Sequence, residues 1–365
     1  MHLLEPREHP SQMMKWLSPI IALLAMLVVG SLLFLALGVD PLNALYIFFI
    51  EPLTSIYSLS ELAIKASPLI LIALGLAIGF RAKLFNIGAE GQLTMGAIFG
   101  GGIAILFHEQ MGWWILPLMV LMGAIGGALW GLIPALLKTH FNAEETLTTL
   151  MMNYVALFVL LYLVNGPWRD PDGMNFPQSV MFSESATLPL IWEGTRVNAS
   201  IFIMIIAVVI FWIFIRKSLT AYKLEVSGQA PLAAKYAGFS SKKAIWLSLG
   251  LSGLMAGIAG ICEVAGPIGQ LNPNISPGYG YAAIIVAYLG RLNPIGIVLS
   301  GLLMALIYLG GEMAQMQLQL PVAITGIFQG LLLFFLLASD ALIENRYRFA
   351  PKKNKTLTDR QATTA

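Results

Sequence analysis

Long apolar runs separated by short polar segments make up most of the chain. A helix needs about 20 residues to cross roughly 30 Å of hydrocarbon, and ten charge-free runs approach or exceed that length. The runs are Trp16–Val39, Ala66–Phe80, Gly91–His108, Gln110–Leu137, Thr146–Trp168, Val197–Ile215, Ala244–Cys262, Val264–Gly290, Leu292–Gly311 and Met313–Ser339. The pattern predicts an all-α polytopic membrane protein with about ten transmembrane helices.

Two of the runs depart from a simple span. The second is short, and it can extend back through Glu61 and Lys65, which are four residues apart and could pair on one helix face. The eighth is interrupted by Pro267, Pro273 and Pro277. We expect it to form a discontinuous or re-entrant segment, which is tolerated at membrane depth only where protein or water covers the backbone.

The basic residues predict the orientation of the chain. Those in alternate polar segments are Arg7 and Lys15, Arg81 and Lys83, Lys138, the loop 216–243, Arg291, and the tail from Arg346 to Arg360. The intervening loops hold only Arg169 and Arg196. Because positive charge near span ends is retained in the cytoplasm, we expect both termini to be cytoplasmic.

A single transmembrane domain is expected over residues 16–342. Its longest outer loop covers about 166–196, and its longest cytoplasmic loop covers 216–243. Residues 1–15 are predicted to form a cytoplasmic N-terminal segment, and residues 343–365 a polar, disordered cytoplasmic tail.

The composition supports this class and narrows the chemistry. Hydrophobic residues make up 58% of the chain and charged residues 11%, with a net charge of +2, which argues against a nucleic-acid partner. The single cysteine, Cys262, excludes an intrachain disulfide and a cysteine metal cluster. No GxxxxGK[ST], HExxH or nucleophile–base pattern occurs, so we expect no catalytic residues, no metal site and no enzyme activity in this chain.

Two polar stretches between apolar runs are candidates for a substrate pathway. The first, Phe85–Gln92, contains Asn86, Glu90 and Gln92 among glycines, and such broken segments at membrane depth usually line a cavity. A cytoplasmic turn, with Glu90 offsetting a nearby base, is the alternative. The second places Thr148, Thr149 and Asn153 within the fifth span, although a threonine can also satisfy its hydroxyl on its own helix backbone.

The basic loop 216–243 contains a short predicted helix from Pro231 to Gly238. Proline suits the first helical position and glycine suits the stop. A helix of one or two turns is unstable alone in water, so we expect it to dock on another protein. An ordinary solvated basic loop is the alternative.

Four stretches, taken together, resemble a known family. They are FNIGAEGQ, AEETLTTLMMNYVA, NGPWRDP followed by FPQS, and GQAPLAAKYAGFS. In this order they are similar to permease subunits of ABC importers, in the branch that includes ribose and branched-chain amino-acid permeases, and within it the nucleoside type. The resemblance covers roughly residues 60 to 340.

The resemblance implies a permease of the bacterial cytoplasmic membrane, surrounded by lipids, that moves nucleosides. It implies a second homologous permease subunit, a cytoplasmic ATPase that uses ATP and magnesium, and an extracytoplasmic substrate-binding lipoprotein, with no cofactor on this chain. The alternatives are a permease for a simple sugar or an ion-coupled secondary transporter that uses Glu90. An intramembrane enzyme is a third reading, without a visible catalytic pair.

The resemblance also implies roles for particular residues. The segment Gly228–Gly238 matches the coupling helix that contacts the ATPase, and its residues are Gly228, Pro231, Ala233, Ala234, Lys235, Tyr236, Ala237 and Gly238. This chain has Ala230 where the family often has an asparagine that caps the helix. Loss of that cap lowers the stability of the helix by about 1 kcal/mol unless a partner supplies the acceptor. For hydrogen bonds to the passing substrate, the expected residues are Asn86, Glu90, Gln92, Thr148 and Asn153.

Overall fold

Helices account for nearly all the regular structure of the chain. The computed structural model describes residues 4–6 and 12–347. Most of the predicted tail, and most of the predicted N-terminal segment before residue 12, lie outside the described residues. Two three-residue strands, β1 (Leu4–Pro6) and β2 (Asn345–Tyr347), pair antiparallel.

Nine helices in the described part of the chain have 18 residues or more. They are α1 (Gln12–Ala36), α3 (Ile56–Arg81), α4 (Ala89–Leu106), α5 (Ile115–Phe141), α6 (Glu145–Asn165), α7 (Ser200–Lys217), α10 (Ser241–Glu263), α12 (Pro294–Leu318) and α13 (Ala323–Glu344). All except α4 are apolar enough to be candidate membrane spans. The prediction of an all-α polytopic membrane protein is confirmed.

Shorter helices connect or interrupt the long ones. They are α2 (Pro41–Leu45), a π-helical turn (Tyr46–Ile50), 3-10 turns (Glu51–Leu53 and Glu184–Ala186), α8 (Leu219–Gln229), α9 (Pro231–Tyr236), a second π-helical turn (Val264–Ile268) and α11 (Tyr279–Leu289). The apolar stretch Pro41–Leu53 is too short to cross a membrane, and the search for charge-free spans did not identify it.

Two sequence expectations about charged residues were wrong. Glu312 does not end a span, because α12 continues to Leu318 and the carboxylate pairs with Lys65 at 2.8 Å. Glu61 does not pair with Lys65, since its carboxylate lies 3.3 Å from the Arg196 guanidinium. In both cases an opposite charge from another element is the partner, and this pairing allows charged groups within the apolar helices.

The predicted discontinuity in the eighth apolar run is confirmed. The chain leaves α10 through the π-helical turn, runs without regular structure from 269 to 278, and forms a helix again only in α11. The outer loop supplies partners for this broken backbone. The amides of Ser179, Phe182 and Leu188 donate to carbonyl oxygens of residues 271, 269 and 265 at 2.9, 2.8 and 2.7 Å. The exposed polar groups of the broken run are therefore covered by protein, as membrane depth requires.

Glycines bring α4, α5 and α10 into backbone contact at the centre of the fold. A Cβ atom added at Gly96 would lie 2.3 Å from the Gly257 Cα, and one at Gly260 would lie 2.1 Å from the Leu93 carbonyl oxygen. Small residues permit such close approach between membrane helices. The central helix α3 packs on this group and is itself largely buried.

The chain divides into two compact units. One contains the residues up to Gly38 and from Gly330 onward, and in it Ser18 hydrogen-bonds Asp340 while the Ser339 hydroxyl donates to the Ser18 carbonyl oxygen at 3.0 Å. The other, Val39–Gln329, holds the remaining helices and every candidate site residue.

Candidate functional site

The segment between α3 and α4 turns back along α3 and packs against α10. The Leu84 amide donates to the Gly79 carbonyl oxygen at 2.9 Å, and the Asn86 amide group donates to the Ser252 hydroxyl at 2.9 Å. Ser252 lies in the middle of α10, level with Gly75 of α3, which is about 9 Å deeper than the end of that helix at 1.5 Å per residue. The broken segment therefore packs among the helices at the level of Gly75, and this position favours the prediction of a pathway segment over that of a turn at the end of α3.

Asn86 is the centre of a buried polar cluster. Its Nδ2 donates to the Gln92 Oε1 at 2.9 Å as well as to Ser252, and its Oδ1 accepts from the Gly88 amide at 2.9 Å. These side chains are all buried. Buried polar groups need such partners, and the cluster ties the start of α4 to α10.

Asn153 provides a second set of contacts from α6. Its Oδ1 accepts from the Gly91 amide at 2.8 Å, and its Nδ2 donates to the Ile87 carbonyl oxygen at 2.9 Å and to the Tyr281 hydroxyl at 3.0 Å. One side chain thus satisfies two backbone groups that the broken segment leaves without helical partners.

The two threonines of α6 differ in their contacts. The buried Thr149 hydroxyl accepts from the Ile87 amide at 3.1 Å, so this residue joins the cluster although it was not among the five expected pathway residues. The Thr148 hydroxyl donates to the Glu144 carbonyl oxygen at 2.6 Å on its own helix, and it lies outside the cluster.

Glu90 lies where the N-termini of α4 and α11 meet. Its Oε2 accepts from the Gly280 amide at 2.7 Å, and the carboxylate also hydrogen-bonds the Ser276 side chain. Glycine is required at 280, because a Cβ atom there would lie 2.3 Å from the Glu90 nitrogen. Two helix N-termini each carry partial positive charge, and a carboxylate between them offsets their repulsion.

The structure therefore brings four of the five predicted pathway residues together. The amides of Asn86, Gln92 and Asn153 are occupied by contacts within the protein, whereas Glu90 is only partly buried. Tyr281 joins this group and is 40% exposed. Tyr281 was not among the predicted pathway residues, because nothing in the apolar run distinguishes it from the buried Tyr279.

The helix predicted in the basic loop is α9. It begins at Pro231 as expected, the preceding residue Ala230 supplies no side-chain cap, and the chain turns at Gly238 with φ +78°. Ala234 is fully buried, whereas the Tyr236 side chain is 94% exposed. The helix is thus held by one face and presents the rest outward.

The sequence analysis did not identify α8, which connects α9 to the membrane part. Its buried residues, Ala221, Leu224 and Gly228, follow helical spacing, and the Ser218 hydroxyl caps it by accepting from the Thr220 amide at 3.1 Å. A serine cap followed by small and apolar residues at helical spacing was therefore the pattern in the sequence that could have predicted α8. Gly228 packs on the backbone just after α3, since a Cβ atom there would lie 2.5 Å from the Ala82 carbonyl carbon.

Arg81, at the end of α3, contacts both neighbours of this region. Its guanidinium lies 3.3 Å from the Glu225 carboxylate of α8 and donates to the Leu292 carbonyl oxygen at 2.8 Å. A single side chain thus connects α3, α8 and the loop before α12.

The sequence is similar to known transport proteins over nearly its whole length. The profile of a family described as "Branched-chain amino acid transport system / permease component" matches residues 58–337. The glucose ABC transporter permease protein TsgB13 of Haloferax volcanii is 36% identical, covering 94% of this chain and 92% of its own. The nucleoside ABC transporter permease protein NupB of Lactococcus lactis is 31% identical, covering 81% and 84%. The guanosine ABC transporter permease protein NupP of Bacillus subtilis is 31% identical, covering 89% and 94%.

Proposed function

The chain belongs to the permease component family of branched-chain amino acid transport systems, and we propose that it conducts nucleosides in an ATP-driven importer. It is an ABC transporter permease, a multi-pass protein of the cytoplasmic membrane. ATP hydrolysis is assigned to a separate subunit. The chain supplies the route, and its partners supply the energy and the substrate.

The observation that carries this proposal is the uncovered helix α9. A six-residue helix has too few hydrogen bonds to be stable alone, yet here it is anchored by Ala234 and presents Lys235 and Tyr236 outward. We assign this surface to the cytoplasmic ATPase, which binds ATP and magnesium. A second homologous permease and an extracytoplasmic substrate-binding lipoprotein complete the proposed assembly.

Two of the relatives support nucleosides as the substrate. NupB is a nucleoside permease and NupP a guanosine permease by name. A simple sugar is the second candidate, because TsgB13, at 36% identity, is a glucose permease by name. Both ligand classes carry ring hydroxyls that donate to a carboxylate, so the nucleobase is what distinguishes them.

We assign different roles to the predicted pathway residues. Glu90, whose carboxylate accepts from Gly280 and bonds Ser276, is proposed to accept hydrogen bonds from the substrate through its remaining lone pairs. Asn86, Gln92 and Asn153 are proposed to hold the broken segment in place, because their amides already have protein partners. Thr148 is assigned no contact with this cluster, since its hydroxyl bonds its own helix.

The test is uptake of labelled guanosine by cells with and without this gene, before and after ATP depletion. We expect an ATP-dependent component that is lost with the gene and is competed by other nucleosides but not by ribose or glucose. Competition by glucose alone would move the substrate to sugars. Uptake that survives ATP depletion and collapses with the proton gradient would overturn the importer in favour of a secondary transporter.

A further inference from the structure

One narrow face of α11 is left uncovered by the rest of the described chain. Eight of the eleven residues of this helix are buried. The remaining three, Tyr281, Ile284 and Tyr288, are partly or well exposed. Their spacing of three and four places them on a single face of the helix, which we call the α11 stripe.

The α11 stripe extends from the membrane interior toward the cytoplasm. Eleven helical residues measure about 16 Å, roughly half of the hydrocarbon thickness. The loop that follows α11 lies at the end of α3, because Arg81 donates to the Leu292 carbonyl oxygen at 2.8 Å. Tyr281 is therefore the deep end of the stripe, about 10 Å further in than Tyr288 at 1.5 Å per residue.

The two ends of the α11 stripe have different surroundings. At the deep end, the Tyr281 hydroxyl accepts from Asn153 at 3.0 Å, next to the Glu90 carboxylate that caps α11. At the inner end, the Tyr288 ring stacks on Phe80 with centroids 4.9 Å apart, and the half-exposed Phe85 lies 5.9 Å from Phe80. Aromatic rings thus lie at both ends of the stripe, with Ile284 between them.

The stripe is poorly suited to face lipid. The Tyr281 hydroxyl at this depth would lose hydration without full compensation in hydrocarbon, because Asn153 satisfies it only as an acceptor. The neighbouring helix α6 adds an exposed tyrosine, Tyr154, directly after Asn153. Water, substrate or another protein must cover such a surface.

We propose that the α11 stripe lines the inner half of the substrate route, with Tyr281 as the ring on which a nucleobase stacks and Glu90 as the acceptor for ribose hydroxyls. This inference rests on the proposed function for the identity of the ligand. Every nucleobase has a flat face, so stacking on an aromatic ring tolerates different bases. An aromatic ring that binds different bases weakly suits a route that must also release its ligand.

Thiol labelling of the complete transporter tests the location of the stripe. The chain's single cysteine is buried, so the unmodified protein gives the background. Tyr281→Cys and Ile284→Cys are labelled in inside-out vesicles with a charged, water-soluble thiol reagent and, separately, with a lipid-soluble maleimide. Ile206→Cys, on the apolar helix α7 and 58% exposed, is the matched control for a lipid-facing position.

We expect the charged reagent to label both stripe positions but not residue 206, and guanosine to slow that labelling. Labelling of the stripe by the lipid-soluble reagent alone would show that it faces lipid, and no labelling by either would show that another subunit buries it. Either result would overturn the inference. Labelling by the charged reagent that glucose slows and guanosine does not would leave the stripe on the route and overturn the nucleoside assignment.

Transport by ring variants tests the stacking role itself. Tyr281→Ala is expected to weaken the apparent affinity for guanosine on the order of tenfold, the scale of base–aromatic stacking. Tyr281→Phe keeps the ring and loses only the hydroxyl contact, so it is expected to stay within about threefold of the unmodified protein. Equal transport by the alanine and phenylalanine variants would contradict a stacking platform.

Discussion

The glycines between α5 and α10 leave no space for one additional carbon atom. A Cβ atom at Gly257 would lie 2.2 Å from the Gly123 carbonyl oxygen, and one at Gly127 would lie 2.2 Å from the Gly253 carbonyl oxygen. Both neighbours are backbone, so neither can rotate away. We expect Gly257→Ala to destabilise the protein by about 1–3 kcal/mol through overpacking, measured as a lower midpoint of thermal unfolding in detergent.

Gly326→Ala is the matched control for this prediction. Gly326 also lies in a long helix, but nothing in the described chain approaches its added Cβ within 4 Å. Removing glycine from a helix interior stabilises it by about 0.5–1 kcal/mol, so the unfolding midpoint is expected to stay or rise. A Gly257→Ala protein that unfolds at the unmodified temperature would contradict tight packing between α5 and α10.

At the scale of elements, the sequence predicted those features of the fold that depend on residues close together in the chain. Uninterrupted apolar runs predicted the long helices, and prolines predicted the break before α11. The false break at Glu312 arose because its compensating charge, Lys65, is 247 positions away. No local pattern shows such a pairing.

For the candidate site too, the sequence predicted the local pattern but not the contacts between distant residues. Glycines and amides in one stretch identified the broken segment that contains Asn86 and Glu90. Its depth could not be read locally, since the deciding partner, Ser252, is 166 positions from Asn86. Tyr281 was missed because a tyrosine in an apolar run is usually a core residue, and only the packing around α11 shows that it remains exposed.

Arg81 adds an ion pair between α3 and α8 to the close packing of Gly228 on Ala82. Its planar guanidinium holds the Glu225 carboxylate and the Leu292 carbonyl oxygen at once. We expect Arg81→Gln to leave the ATPase bound but to lower the nucleoside moved per ATP hydrolysed several-fold, because the side-chain link between α8, α3 and the loop before α12 is lost. The measurement is the ratio of uptake to ATP hydrolysis in reconstituted vesicles.

Lys83→Gln provides the comparison for Arg81. Lys83 is an exposed lysine two positions away. Its replacement by glutamine removes one positive charge, as Arg81→Gln does, without affecting the contact between Arg81 and Glu225. This variant is expected to keep the unmodified ratio. Equal loss of coupling in both variants would attribute the effect to charge rather than to the link between helices.

At the scale of the whole molecule, two uncovered surfaces have different assigned partners. The α11 stripe is assigned to the substrate, whereas α9, in the loop 216–243, is assigned to the ATPase. The two surfaces belong to one compact unit, residues 39–329. A substitution on α9 should therefore break assembly without altering the route, and this separation can be measured.

We expect Tyr236→Asp to abolish co-purification of the ATPase while the chain remains in the membrane in normal amount. Tyr236 is 94% exposed and forms no contact that the fold requires, and a desolvated carboxylate at an interface has a large cost when it lacks a partner. Tyr57→Asp, at an exposed position at the start of α3, introduces the same charge at the other end of that helix from Ala82, on which α8 packs. It should leave co-purification of the ATPase intact.

Labelling of Ile284→Cys by the charged reagent should persist in the Tyr236→Asp protein, because the α11 stripe belongs to this chain and not to the ATPase. Undiminished ATPase binding by Tyr236→Asp would overturn the assignment of α9.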